Sequence, residues 1–225
     1  SRPLLPLPHT TMANIVMVRH GERQDYVDRD AGKNWTAGSA RPFDPPLTAE
    51  GCNQGRLAGS RISALCGVLN IGQPCKVYTS PLIRCGQTST NAAKNMGLES
   101  VSIESGLVES INEDWYRSWG APGADSTWGG PPTCRTGRHP VKAGDLHPAA
   151  LESAQSLYNT PEMMMADENV VLPIDSSHSQ FWNADLHTWE NRETPEGQVS
   201  FLTRTLSDFF RSSPPTTPRT NLTTN

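Results

Sequence analysis

Short apolar runs alternate along this chain with longer stretches of helical spacing. Ala13 to Val18 (ANIVMV) is almost continuously apolar and holds β-branched residues, which predicts a central strand covered on both faces. It stops at Arg19-His20-Gly21. Thr48 is placed to cap a helix with Glu50 in its first turn, and Leu57, Ala58, Ile62 and Leu65 continue at helical spacing. Thr48 to about Cys66 therefore reads as a helix. Gly72-Gln73-Pro74 marks a turn before a second strand at Cys75 to Thr79. Ser80 as cap and Pro81 at the first helical position introduce a helix over Leu82 to Met96, which Gly97 stops. Val101 to Ile103 is a third short strand, ending in the loop that holds Glu109. This alternation predicts an α/β fold with a mainly parallel sheet flanked by helices.

From Asn112 to about Glu193 the pattern dissolves into a stretch rich in Trp, Gly and Pro, read as an insertion or lid over the sheet. Order returns at Thr194-Pro195-Glu196. Val199, Leu202, Leu206 and Phe209 then draw one apolar stripe on a helix ending near Arg211. The expected organisation is a Pro-rich disordered leader over residues 1–11, an α/β domain over 12–211 with the insertion at 112–193, and a polar disordered tail over 212–225. Met12 stands where a natural start is expected.

Composition narrows the function classes. The 225 residues carry 19% charged side chains and a net charge of −4, which argues against non-specific nucleic-acid binding. No run of ~18 apolar residues is present, so no membrane-spanning helix is expected. Cys52, Cys66, Cys75, Cys85 and Cys134 form no C-x-x-C pair, and are read as reduced thiols in a cytoplasmic protein. His139, His147, His178 and His187 match no metal-ligand spacing, so no metal is expected.

The chemistry gathers at predicted strand ends, where open α/β sheets bind ligands. VMVRHGER, Val16 to Arg23, sets an imidazole between guanidiniums. An Arg fork suits phosphate oxygens, and a neutral imidazole nitrogen can attack phosphorus. The second strand end delivers Arg84, and the third supplies Glu109. In a parallel sheet these ends share one edge.

Three segments carry a family resemblance: Arg19-His20-Gly21, Pro46 to Gln54 (PLTAEGCNQ) and Thr79 to Thr88 (TSPLIRCGQT). In this order the chain resembles the histidine phosphatase superfamily, also called phosphoglycerate mutase-like. RHGER with Asp25 following, then SPLIRCGQT and ESGLVE, is similar to the branch of ecdysteroid-phosphate and Sts-type phosphatases. The resemblance covers about Ala13 to Glu109, and Thr194 to Arg211 loosely. It implies that His20 is the nucleophile, that Arg19 and Arg84 bind the phosphoryl oxygens, and that Arg23 is an additional substrate-binding arginine. Glu109 matches the general acid, with Glu104 and Glu113 as alternatives. No cofactor is implied. The partner would be a phosphorylated small molecule or phosphoprotein, and the oligomeric state is left open.

The family also needs a second histidine in a V-x-x-S-H-G segment after the last helix. The tail SSPPTTPRTNLTTN holds none. His178 in DSSHSQ imitates the S-H pair, but it precedes that helix, has no glycine after it, and no buried strand is expected to lead into it. The fold is therefore expected to be incomplete at the C-terminus, either as a truncated product or as a shortened homologue. The expected activity is phosphomonoester hydrolysis through phosphohistidine, impaired in this chain. The alternatives are a phosphoglycerate-type mutase and a catalytically silent phosphate-binding module.

Overall fold

A computed structural model describes residues 14–104, 107, 118–119 and 158–175. The elements run α1 (Gln24–Asp30), α2 (Trp35–Gly38), α3 (Ala49–Leu69), β1 (Tyr78–Thr79), α4 (Ile83–Asn95), β2 (Val101–Ile103), α5 (Pro161–Met165) and β3 (Ile174–Asp175). The strands form one sheet in the order β1-β2-β3, and both pairings are parallel. Tyr78 faces Ser102 and Val101 faces Ile174 in the register. β2 is buried along its whole length, as a central strand in a helix-covered sheet must be. The fold is α/β, and no helix among the described residues is long and apolar enough to cross a membrane.

The long helix α3 begins as the sequence predicts. Thr48 adopts an extended conformation, and its hydroxyl accepts from the Gly51 amide at 2.9 Å. The helix runs past Cys66 to Leu69 and ends on Asn70 in the left-handed region (φ 52°), a conformation an Asn side chain tolerates. Its inner face differs from the apolar stripe expected. Gly51, Cys52, Gly55, Gly59, Ile62 and Cys66 are buried, whereas Leu57 and Leu65 face outward. Close packing decides this: a Cβ on Gly59 would lie 2.4 Å from the Ala92 carbonyl oxygen of α4. The two helices approach so nearly that only small residues fit between them.

Helix α4 starts two residues later than its predicted cap. Leu82, not Ser80, is the N-cap, and its own side chain makes no capping bond. The orphan Ile83 amide instead donates to the carboxylate of Asp44 at 3.0 Å, so a distant loop caps the helix. Gly97 (φ +78°) follows the last turn as expected. The buried face of α4 is largely polar. Gln87, Thr90 and Asn91 reach outward: Gln87 Nε2 donates to Asp167 at 3.0 Å, and Asn91 Nδ2 to the Asn169 carbonyl at 3.1 Å. The Val171 amide donates to the Thr90 hydroxyl at 3.3 Å. These bonds hold residues 158–175, where α5 and β3 appear within the stretch read as an insertion. Met164 and Ile174 then pack with Ile103 as a small core.

One predicted element is corrected. Residues 14–18 form no strand, and Ile15, Val16, Met17 and Val18 are 44 to 72% exposed rather than covered on both faces. The apolar run has the propensity for a strand, but no described segment pairs with its backbone, and without a ladder propensity alone makes none. Of the strand predicted over Cys75 to Thr79, only Tyr78–Thr79 pairs. The leader, the expected helix over 195–211 and the tail lie outside the described residues.

Candidate active site

The loop after residue 18 is anchored by side chains rather than by a sheet. A Cβ on Gly21 would lie 2.3 Å from the Gly51 carbonyl oxygen, so this crossing of two backbones admits only glycine. The Gly21 amide donates to the Thr88 hydroxyl at 3.1 Å, and that hydroxyl donates to the Arg84 carbonyl at 2.8 Å. The Glu22 amide donates to Gln54 Oε1 at 2.9 Å, while the Glu22 carboxylate accepts from the Thr48 hydroxyl at 2.7 Å. The polar residues of the two helical motifs thus find physical roles. Thr48 and Gln54 on the α3 side, and Thr88 on α4, clamp the loop that presents His20.

His20 is half-buried, and its Nδ1 lies 2.8 Å from the Gly21 carbonyl oxygen. A carbonyl only accepts, so Nδ1 carries the proton and Nε2 keeps its lone pair. Burial pushes the imidazole pKa below its ordinary value. The Gly21 bond opposes this, while the charges of Arg84, Arg23 and Arg19 add to the lowering. The three arginines expected at the site therefore act on the imidazole together.

Each guanidinium is held differently. Arg84 is buried in the first turn of α4, with Nη1 3.5 Å from Asp44 Oδ1. Arg23 is buried and pairs with Asp25 through Nη2 at 2.7 Å. Arg19 lies on the exposed side of the loop.

Asp44 is a site residue the sequence reading missed. Its carboxylate accepts from Asn159 Nδ2 at 2.6 Å and from the Ile83 amide, and stands 3.9 Å from Arg41 Nη2. Burial pushes its pKa up, against the pull of Asn159, Arg84, Arg41 and Ile83. The signal available was the need of a buried Arg84 for a counter-charge, with Asp44 just ahead of the Pro46 motif.

Glu104, an alternative acid, is buried at the carboxyl end of β2 with 2% exposure. Glu109, Glu113 and the histidines from His139 onward lie outside the described residues. β3 does, however, end at Asp175 with Ile174 buried, three residues before His178. Residues 176–178, between that strand and the histidine, lie outside the described residues. Among the described residues, no cluster of three His, Cys, Asp or Glu side chains could hold a metal ion.

The family model of the histidine phosphatase superfamily (branch 1) matches residues 15–120. The human protein named ubiquitin-associated and SH3 domain-containing protein B is 28% identical over an alignment of 142 residues, taking in 48% of this chain and 21% of the relative. The chain thus spans about a fifth of that relative's length. No solved structure matches significantly.

Proposed function

We propose that this chain is a histidine phosphatase-type domain that takes the phosphoryl group of a phosphomonoester onto His20. The observation that carries this reading is the His20 environment. Its Nδ1–H is spent on the Gly21 carbonyl, and the charges of Arg84, Arg23 and Arg19 all act on the imidazole. A neutral Nε2 under the influence of several cationic side chains suits attack on an anionic phosphorus centre.

In the proposed reaction the Nε2 lone pair forms the N–P bond as the ester P–O bond breaks. A carboxylic acid, Glu109 by the family pattern or the buried Glu104, gives its proton to the departing alcohol. Water then attacks phosphorus, the P–N bond breaks, the carboxylate takes the water proton, and inorganic phosphate leaves. Arg84, Arg23 and Arg19 neutralise charge on the phosphoryl oxygens in both steps.

The substrate class is a phosphomonoester on a small molecule or protein, with turnover in the cytoplasm. The burial of Arg23 beside this site favours the Sts-like phosphatase reading over a mutase, since the family resemblance puts a small hydroxyl residue there in mutases. No histidine of this chain stands in the V-x-x-S-H-G pattern. Loss of one such donor costs ~10²–10³ in rate, so slow turnover is expected of the 225-residue polypeptide.

Rapid quenching with p-nitrophenyl phosphate tests the reading. An acid-labile phosphoryl label on His20, absent from His20→Ala, supports it. Labelling elsewhere, or phosphate binding with no label, favours the silent binding module. Fast His20-dependent hydrolysis would overturn the expectation of slow turnover.

A further inference from the structure

Arg23 and Asp25 are two residues apart and both buried, with side-chain exposures of 7% and 4%. The carboxylate takes the guanidinium side-on. Nε donates to Oδ1 at 2.9 Å, and Nη2 to Oδ2 at 2.7 Å. Nη1 donates to the Tyr26 hydroxyl at 3.1 Å, and the guanidinium carbon lies 4.3 Å from the centroid of the same ring. The backbone here is fixed as well. Arg23 bridges to Leu47, the Gln24 amide donates to the Pro46 carbonyl at 2.9 Å, and the Thr48 amide donates to the Glu22 carbonyl at 3.0 Å.

Stability alone does not account for this arrangement. A buried ion pair stabilises little, because desolvation cancels most of its attraction. Asp25 in the first turn of α1 would favour the helix dipole without any buried guanidinium. What the contacts do achieve is direction. A guanidinium has five N–H donors, and these bonds take one on each of its three nitrogens. The fork cannot turn without breaking all of them, so its other two N–H groups keep one heading. The Arg23 charge also acts on the imidazole of His20, three residues before it on the same clamped loop.

We propose that Asp25, with Tyr26, is the positioning residue that aims Arg23 at the phosphoryl oxygens before any ligand arrives. The inference rests on the reading of the His20 pocket as a phosphoryl site. Pre-orientation spares the ligand the entropy of ordering a long side chain, and its loss should weaken binding rather than abolish the fold.

Titration of the full chain with inorganic phosphate, followed by NMR, tests it in a cycle of Asp25→Asn, Arg23→Gln and the double variant. The expected result is about tenfold weaker phosphate binding for Asp25→Asn in the native background and no further loss in Arg23→Gln. The Arg23 Nε–H resonance should shift in Asp25→Asn. Equal losses in both backgrounds, or unchanged affinity, would overturn the proposal. If Asp25→Asn does not fold, Tyr26→Phe replaces it, with a loss of about threefold confined to chains that keep Arg23. A native chain that binds no phosphate overturns the pocket and this inference together. One that binds equally well after Asp25→Asn overturns the inference alone.

Discussion

Arg84 and His20 reach the same site by opposite means. Arg84 follows β1, a strand paired in the sheet, and is buried on a helix whose first turn is capped by Asp44. His20 follows an exposed apolar segment that pairs with no strand among the described residues, and is held by what grips the loop after it: the Gly21–Gly51 crossing, the hydrogen bonds of Thr88, Gln54 and Thr48, and the backbone bridge of Arg23 to Leu47. A reactive side chain can thus be placed by the frame behind it or by clamps in front of it. The second device concentrates the risk in a few polar atoms.

The comparison predicts where the two halves break. Asp44→Ala should have the largest effect, because it strips the buried Arg84 of a charge partner and the Ile83 amide of its acceptor. A loss of ~3–5 kcal/mol in urea unfolding is expected, against a smaller loss for Asp44→Asn. Gly21→Ala should follow at about 2–3 kcal/mol, since the new methyl meets backbone that cannot move cheaply. Labelling of His20 should fall with it, while the sheet around β2 keeps its exchange protection. Thr88→Val, nearly the same in volume, leaves the Gly21 amide without its acceptor and should cost ~1–3 kcal/mol. If its labelling rate falls no further than its stability, the clamp is structural only.

The smallest effect is in pH. Because the folded His20 pKa is lowered, its contribution to stability is present above ~6.5 and is lost as pH falls through the folded value. Asp44 runs the other way, its raised pKa giving a contribution complete below ~3.9 and lost as pH rises through the folded value. The His20 ring protons should titrate below ~6.5 in NMR. Arg84→Met should move that midpoint upward, because one cationic charge is gone. A midpoint at or above the ordinary imidazole value would break the electrostatic account of the site.

Much of this was legible in the sequence where local chemistry decides the outcome. Thr48 caps its helix, Gly97 ends another, and Val101–Ile103 is a strand, because caps, left-handed glycines and short β-branched runs act over a few residues. The strand at 14–18 was misread because pairing is a property of two segments, and only one of them is visible in a run of apolar letters. Leu57 and Leu65 were misplaced for a related reason. Glycines at 55 and 59 draw two helices together, and a scale of hydrophobicity gives glycine no such weight. Asp44 received no role, and Asp25 only a place in the family wording, because their value lies in the arginines they face, and spacing alone shows no partner at separation 40 and only a chance one at separation 2.

The exposed approach to His20 has a consequence in time. Amides of residues 14–18, with no ladder among the described residues, should exchange with solvent far sooner than those of the buried β2. Helices α3 and α4 make dense contacts, so their packing can precede the docking of a loop that needs atoms from both. Assembled in that order, the domain would have Arg84 in place before His20, the proposed nucleophile, which would be the last part installed and the first released.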